Sequence, residues 1–175
     1  SLWLAEMGAE VHGFSLDPPE GQTVFHAADV VSSLASDTRA DLRDQSAVEV
    51  ALEFAAPEIV FHLAAQPLVS MGYQSPSATW MTNVQGSVHL LESVRRQPSV
   101  CAVVVVTTDK VYEELGQGAA HSESDRLGGH DPYSSSKAAV ELLVDSYRKS
   151  FWNSVGGADV RLATARAGNV IGGGD

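Results

Sequence analysis

The sequence predicts an α/β fold, a doubly wound parallel sheet, on three observations. Short apolar runs of strand length alternate along the 175 residues with segments of helical spacing. Two of those runs, Glu58–Leu63 (EIVFHL) and Val100–Thr107 (VCAVVVVT), show no polar alternation, as strands covered on both faces do. The stretches between runs are long enough for right-handed crossovers.

Each element follows from local chemistry. Ser1–Met7 reads as the end of a helix closed by Gly8 at C′, where a left-handed backbone suits glycine. Ala9–Ser15 is a short strand. Leu16–Ala40 is mixed, with Asp17-Pro18-Pro19-Glu20-Gly21 as a turn and a weak strand near its end. Asp44–Ala55 is a helix with Val48, Ala51, Leu52 and Ala55 on one side, stopped by Pro57. The Glu58–Leu63 strand is followed by a loop through Gln74. Ser77–Arg96 is a long amphipathic helix, with Trp80, Val84, Val88, Leu91 and Val94 at three-and-four spacing. The Val100–Thr107 strand is expected to bury Cys101. A polar loop from Asp109 to His130 leads to a helix carrying Tyr133 and running to about Phe151, and a last strand spans Asp159–Ala165. Internal repeats and low-complexity segments are absent from the sequence.

In such sheets ligands lie beyond the carboxyl ends of the strands. The residues there are Asp17, Asp41, Ala64-Ala65-Gln66, Thr107 to Lys110, and Ala167 to Asn169. Asp17 is either a turn former before two prolines or an acceptor for adenosine ribose hydroxyls. No Lys or Arg precedes Arg39, so a 2′-phosphate is expected to lack a cationic partner, which favours NAD over NADP. Asp41 suits the adenine edge, and Asp44 suits a helix cap. Ala64 and Ala65 are small enough for a dinucleotide to approach the backbone closely. Thr108, Asp109 and Lys110 form either an ordinary polar turn or a set of proton-transfer groups, which would be costly to desolvate without a purpose.

Asp131 suits an N-cap and Pro132 the first helical position, so Tyr133 and Lys137 share a helix face at i, i+4. A tyrosine titrates near ~10, so a phenolate at neutral pH must be stabilised by roughly 4 kcal/mol. A lysine ammonium at about 4 Å supplies roughly that much at an effective dielectric of about 20. The alternative is an exposed amphipathic helix with a chance Tyr and Lys. Together with Thr108-Asp109-Lys110, the pair gives two sets of proton-transfer groups beside a cofactor able to take hydride, which suits chemistry beyond simple alcohol oxidation.

Composition narrows the rest. The length fits one domain with a real core, and 44% apolar with 19% charged residues is ordinary for a soluble protein. A net charge of −11 without a Lys/Arg cluster argues against nucleic acid as a partner. Cys101 is the only cysteine, so an intramolecular disulfide is impossible, which fits a reducing cytoplasm. No apolar run approaches the roughly 20 residues of a membrane span, so no membrane partner and no targeting segment are expected. The six histidines form no HExxH pair, the Ser134–Ser136 run lacks elbow glycines, and no phosphate-loop motif occurs. His62 and His89 read as structural residues.

The strings His62-Leu63-Ala64-Ala65-Gln66-Pro67-Leu68-Val69, Thr107-Thr108-Asp109-Lys110, Gly128-Gly129-His130-Asp131-Pro132-Tyr133-Ser134-Ser135-Ser136-Lys137 and Ala165-Arg166-Ala167-Gly168-Asn169-Val170-Ile171-Gly172-Gly173-Gly174-Asp175 resemble the nucleotide-sugar 4,6-dehydratases of the extended short-chain dehydrogenase/reductase family. The resemblance spans essentially the whole chain. It implies that residues 1–175 are a partial NAD-binding Rossmann domain acting on a nucleotide sugar. Lys110, where dTDP-glucose dehydratases usually carry a glutamate, turns the expectation toward CDP-glucose. A dTDP-glucose or GDP-mannose dehydratase, a 4-epimerase, or a non-catalytic binding module are the alternatives.

The resemblance implies catalytic roles for Tyr133 and Lys137 in C4 oxidation, Asp109 as acid for the C6 hydroxyl, Lys110 assisting at C5, and Thr108 bonding the 4-oxygen. It assigns Asp17, Asp41, Leu42, Leu63, Ala64, Ala65, Thr82, Thr107, Tyr133, Lys137 and Val170 to NAD, and Gln66, Thr108 and Asn169 to substrate. It implies no metal, a cytoplasmic enzyme of deoxysugar and lipopolysaccharide synthesis, and a homodimer or higher homo-oligomer through the Ser77 and Tyr133 helices. The family's Gly-rich first turn and C-terminal substrate domain have no counterpart in the sequence. The chain is therefore expected to be a fragment with an unnatural sheet edge, weak NAD binding and no turnover alone.

Overall fold

The computed structural model describes residues 1–21, 23–114, 120–152 and 160–171. Among these residues five strands run in order with helices between them: β1 (His12–Ser15), β2 (Ser36–Arg39), β3 (Ile59–His62), β4 (Ala102–Val106) and β5 (Arg161–Ala165). The pairings between these strands are parallel, but they form two ladders, β1-β2 and β3-β4-β5, rather than one sheet. The β4 register sets His62 beside Val105 and Val105 beside Thr164, which aligns the strands' carboxyl ends. Asp159, the expected start of the last strand, lies outside the described residues.

The helices are α1 (Leu2–Glu6), α2 (Val24–Ala27), α3 (Gln45–Ala55), α4 (Val69–Gln74), α5 (Pro76–Trp80), α6 (Gly86–Val94) and α7 (Pro132–Phe151). Gly8 follows α1 at φ +87°, the left-handed conformation expected of its position. Asp44 caps α3 by accepting from the backbone N–H of Ser46 and Ala47 at 3.0 and 3.2 Å. Helix α4 lies where a loop was expected. Its six residues carry no side-chain cap, so the usual start signal is missing.

A π-helical turn at Met81–Gln85 joins α5 to α6 into one continuous helical run. The turn shifts the inward stripe and corrects the expected one. Thr79, Asn83, Ser87, Leu90, Leu91 and Val94 are buried, whereas Trp80 is 40% exposed.

One face of the three-stranded ladder is closed. Val103 and Val105 of β4 and Leu162 of β5 pack with Val48 and Leu52 of α3, Leu90, Leu91 and Val94 of α6, and Val140 and Val144 of α7. Each such side chain contributes about 1.5–3 kcal/mol on burial. The opposite face departs from the expectation of two covered faces. Ile59 and Phe61 are about half exposed, because α3, α6 and α7 all contribute to the core on the side of Val103 and Val105. Cys101 is likewise exposed rather than buried. It lies just before β4, outside the strand's own alternation, and its thiol donates to the Glu58 carbonyl.

Candidate active site

Helix α7 starts on a fixed point. Pro132 occupies its first turn and Asp131 accepts from the backbone N–H of Tyr133 and Ser134 at 2.9 and 3.1 Å. Burial alone would raise the Asp131 carboxyl, yet these bonds and that of the Ser134 hydroxyl hold it below the ordinary range. Gly129 lies against the same turn so closely that a Cβ there would sit 2.2 Å from the Ser134 carbonyl carbon. The glycine of the Gly-Gly-His-Asp-Pro string is thus needed for a close approach.

Tyr133, Ser136, Lys137, Val140, Glu141 and Val144 form the buried stripe of α7. Lys137 Nζ donates to the Val106 carbonyl at 3.0 Å, at the end of β4. Burial lowers its pKa to about 8. Next to it, burial and then the Lys137 charge lower His62 to about 4, and its Nε2 lies 2.9 Å from the Ser87 hydroxyl. The structural reading of His62 holds.

Two residues beyond Val106, the chain turns through Thr108, Asp109 and Lys110. Thr108 is buried and its hydroxyl donates to Asp109 Oδ1 at 3.1 Å. Lys110 Nζ donates to Asp109 Oδ1 at 3.2 Å and to Asn169 Oδ1 at 3.3 Å. Asn169 reaches this point because the Asp109 N–H donates to the Ala167 carbonyl at 2.9 Å, extending the β4–β5 alignment past the strands. The carboxylate, ammonium and amide are therefore assembled, the first two half exposed, which sets an acid–base pair and a hydrogen-bonding amide toward a ligand above the strand ends.

A second region is a cavity of about 420 Å³ lined by Phe14, Asp17, Phe25, Arg39, Asp41 and Leu42, with Ala64, Ala65 and Thr82 among its other walls. It brings together six residues expected at a dinucleotide, and its size is that of a small-molecule pocket. Asp17 supplies an exposed carboxylate, and Ala64 and Ala65 leave backbone accessible. Asp41 is held by Arg43, whose side-chain bonds lower its carboxyl. These residues fit the adenosine half of a dinucleotide.

Other expected residues lie elsewhere. Leu63 and Val170 are exposed, at 67% and 83%, outside the cavity lining. The Thr107 hydroxyl turns inward and donates to Glu141. The Gln66 amide is occupied within its loop, donating to Thr79 Oγ1 at 2.9 Å and accepting from the Leu68 N–H at 2.6 Å. The absence of cations before Arg39 also misses Arg39 itself. Parallel pairing sets it beside Ser15 and against the Leu16 carbonyl, on the cavity wall.

Supporting residues went unread in the sequence. Asn83 in the π turn donates to Ser136 Oγ at 2.9 Å and accepts from the Gln66 N–H at 2.8 Å, while Ser136 donates to the Tyr133 carbonyl. Glu141 accepts from Thr107, from Thr164 at 2.9 Å and from Arg166 at 3.0 Å. Burial would raise its carboxyl, but those bonds outweigh it and leave it lowered. A sequence signal existed for Glu141 alone, which stands at i+4 and i+8 from Lys137 and Tyr133.

The family model described as GDP-mannose 4,6 dehydratase matches residues 2–155. The chain is 44% identical to a CDP-glucose 4,6-dehydratase of Salmonella typhimurium, over all of this chain and 49% of that protein. Among solved structures, a UDP-glucose 4-epimerase of Thermus thermophilus in complex with NAD superposes at TM-score 0.74 with 29% identity, over 85% of this chain and 46% of that one. A dTDP-glucose 4,6-dehydratase of Streptomyces venezuelae with NAD bound gives TM-score 0.72 and 26% identity, over 86% and 46%. The chain spans about half the length of these relatives.

Proposed function

The chain belongs to the GDP-mannose 4,6-dehydratase family, and from that premise we propose that it is part of an NAD-dependent enzyme removing water from a nucleotide-activated hexose, CDP-glucose, to give the 4-keto-6-deoxy sugar. The observation that carries this reading is the junction of two proton-transfer sets. Lys137 ends on Val106, and two residues later the Thr108-Asp109-Lys110 turn meets Asn169. An enzyme that only moved hydride at C4 would have no use for the second set.

NAD is the bound cofactor in this reading, with Asp17, Asp41, Leu42, Ala64, Ala65 and Thr82 about its adenosine half and Tyr133 and Lys137 toward the reacting end. When bound, it supplies the acceptor for hydride from sugar C4 and the donor for its return to C6. Tyr133 takes the 4-hydroxyl proton as hydride leaves C4, and the ammonium of the buried Lys137, one helical turn away, favours the tyrosinate that accepts it. Thr108 hydrogen-bonds the 4-oxygen. Asp109, taking a proton from Lys110 along their hydrogen bond, delivers it to the C6 hydroxyl that leaves as water; Lys110, so made neutral, takes the C5 proton and returns it to C5 as hydride reaches C6, and Asn169 orients both Lys110 and the sugar. The 44% identity to a CDP-glucose 4,6-dehydratase supports the choice of nucleotide.

The reading extends to setting. No helix among the described residues is long and apolar enough to cross a membrane, and a cytoplasmic enzyme supplying deoxysugars for surface polysaccharide fits a nucleotide-sugar substrate. Assembly as a homodimer uses the outer sides of the Pro76–Val94 run and α7, where Trp80, Met81 and Leu142 stand exposed.

The test incubates the protein carrying this chain, at the full length of its relatives, with NAD and CDP-, dTDP-, UDP- and GDP-hexoses. Mass spectrometry should find loss of one water from CDP-glucose. Turnover of a non-cytidine sugar alone would overturn the nucleotide assignment.

A further inference from the structure

We propose that Asp37 sets the selectivity of the cavity by holding Arg39 away from a ribose 2′-phosphate, so that the site takes the dinucleotide whose 2′-hydroxyl is free; this rests on the NAD reading above. In α/β nucleotide folds the ribose 2′ position lies just beyond a strand end, where a carboxylate accepts from a 2′-hydroxyl and an arginine takes a 2′-phosphate. Both residue types stand here. Asp17 follows β1, and Arg39, at the end of β2, pairs in register with Ser15.

The geometry commits Arg39 elsewhere. Its Nε and Nη2 donate to Asp37 Oδ2 at 3.0 and 2.5 Å, and its Nη1 donates to Ser15 Oγ and to the Leu16 carbonyl, both at 2.8 Å. A guanidinium has five N–H groups, so one is left for any ligand. The Phe25 ring, with its centroid 4.7 Å from Cζ, covers one face of the guanidinium and restrains its rotation. Arg43, also on the cavity wall, pairs through Nε and Nη2 with Asp41, two residues before it. Counting Asp37, the charged groups around the cavity are then three carboxylates and two guanidiniums. A 2′-phosphate would meet the Asp17 carboxylate and, among the described residues lining the cavity, only cations already paired with a carboxylate.

The inference predicts a change of preference when the holding carboxylate is removed. Calorimetry on the full-length protein carrying this chain compares NAD, NADP, ADP and 2′,5′-ADP. The unmodified protein should bind NAD about tenfold or more tighter than NADP, and 2′,5′-ADP no tighter than ADP. Asp37→Asn should tighten NADP by about tenfold while NAD moves by less than about threefold. The double variant Asp37→Asn/Arg39→Gln should return to the parental ratio. An unchanged ratio in Asp37→Asn, or a gain that persists in the double variant, would overturn the proposal. If Asp37→Asn does not fold, the ADP pair on the unmodified protein decides, since a clear preference for 2′,5′-ADP would show Arg39 already free. Failure of the unmodified protein to bind either dinucleotide would instead contradict the NAD reading itself.

Discussion

Lys137 and His62 carry the steepest pH dependence at the scale of single residues, because burial disfavours the charged form of each. With a folded pKa near 8 against an ordinary 10.5, Lys137 binds its proton less tightly than in the unfolded chain. Stability should therefore rise with pH between about 8 and 10.5. Lys137→Met should abolish that rise and stabilise the protein at pH 7 by roughly 1–3 kcal/mol, since it removes a desolvated ammonium at the cost of one hydrogen bond. Urea unfolding at pH 7 and pH 10 measures both, and turnover should vanish in the same variant. His62 works in an acid window. Its folded pKa is about 4 against 6.5, so the unfolded chain takes up the proton first and stability falls as pH drops from 6.5 to 4. The loss approaches about 3 kcal/mol, and His62→Gln should flatten it. A slope unchanged in that variant would place the acid sensitivity in the carboxylates.

At the scale of elements, α7 is the part whose failure disables the most. Its stripe sets Tyr133, Lys137 and Glu141 against the ends of β4 and β5, and Glu141 binds Thr107, Thr164 and Arg166 together. Glu141→Ala leaves the Arg166 guanidinium half-buried without its carboxylate and should cost about 3 kcal/mol in urea unfolding. Gly129→Ala drives a methyl into the Ser134 backbone and should cost about 3 kcal/mol as well, lowering Tm. What was legible at this scale followed from local chemistry. Asp131-Pro132 announced the start of α7, Pro57 the end of α3, and the valines of residues 103–106 the central strand. The hidden features are non-local. Arg39 meets Ser15 only through strand pairing, and the turn of Thr107 toward Glu141 depends on how α7 packs. The π turn at Met81–Gln85 was masked by Trp80, Val84 and Val88, whose spacing imitates an unbroken α-helical stripe.

The molecule as a whole sets its two regions at the carboxyl ends of two separate ladders. The cavity is built on β1 and β2 with the loops after β2 and β3, and the candidate proton-transfer groups stand past the ends of β4 and β5 and on α7. That division accounts for the uneven legibility of the site. Asp109, Lys110 and Asn169 meet because β4 and β5 are neighbours, whereas Gln66, singled out for substrate, is occupied by its own loop. The exposed Trp80 and Leu142 lead to a prediction about assembly. A Trp80→Glu/Leu142→Glu variant of the full-length protein should elute as a monomer in size-exclusion chromatography where the parent elutes as a dimer. A parent that is monomeric would remove the dimer from the reading.

The most direct test of the proposed chemistry follows the hydrogen. CDP-glucose carrying deuterium at C4 is incubated with the full-length protein and NAD, and the product is examined by mass spectrometry and NMR. Internal oxidation, elimination and return predict a product lighter by one water that keeps the deuterium, now at C6, and Tyr133→Phe should slow its formation by about a thousandfold. A product that retains all its oxygen, or one from which the deuterium has been lost, would contradict it.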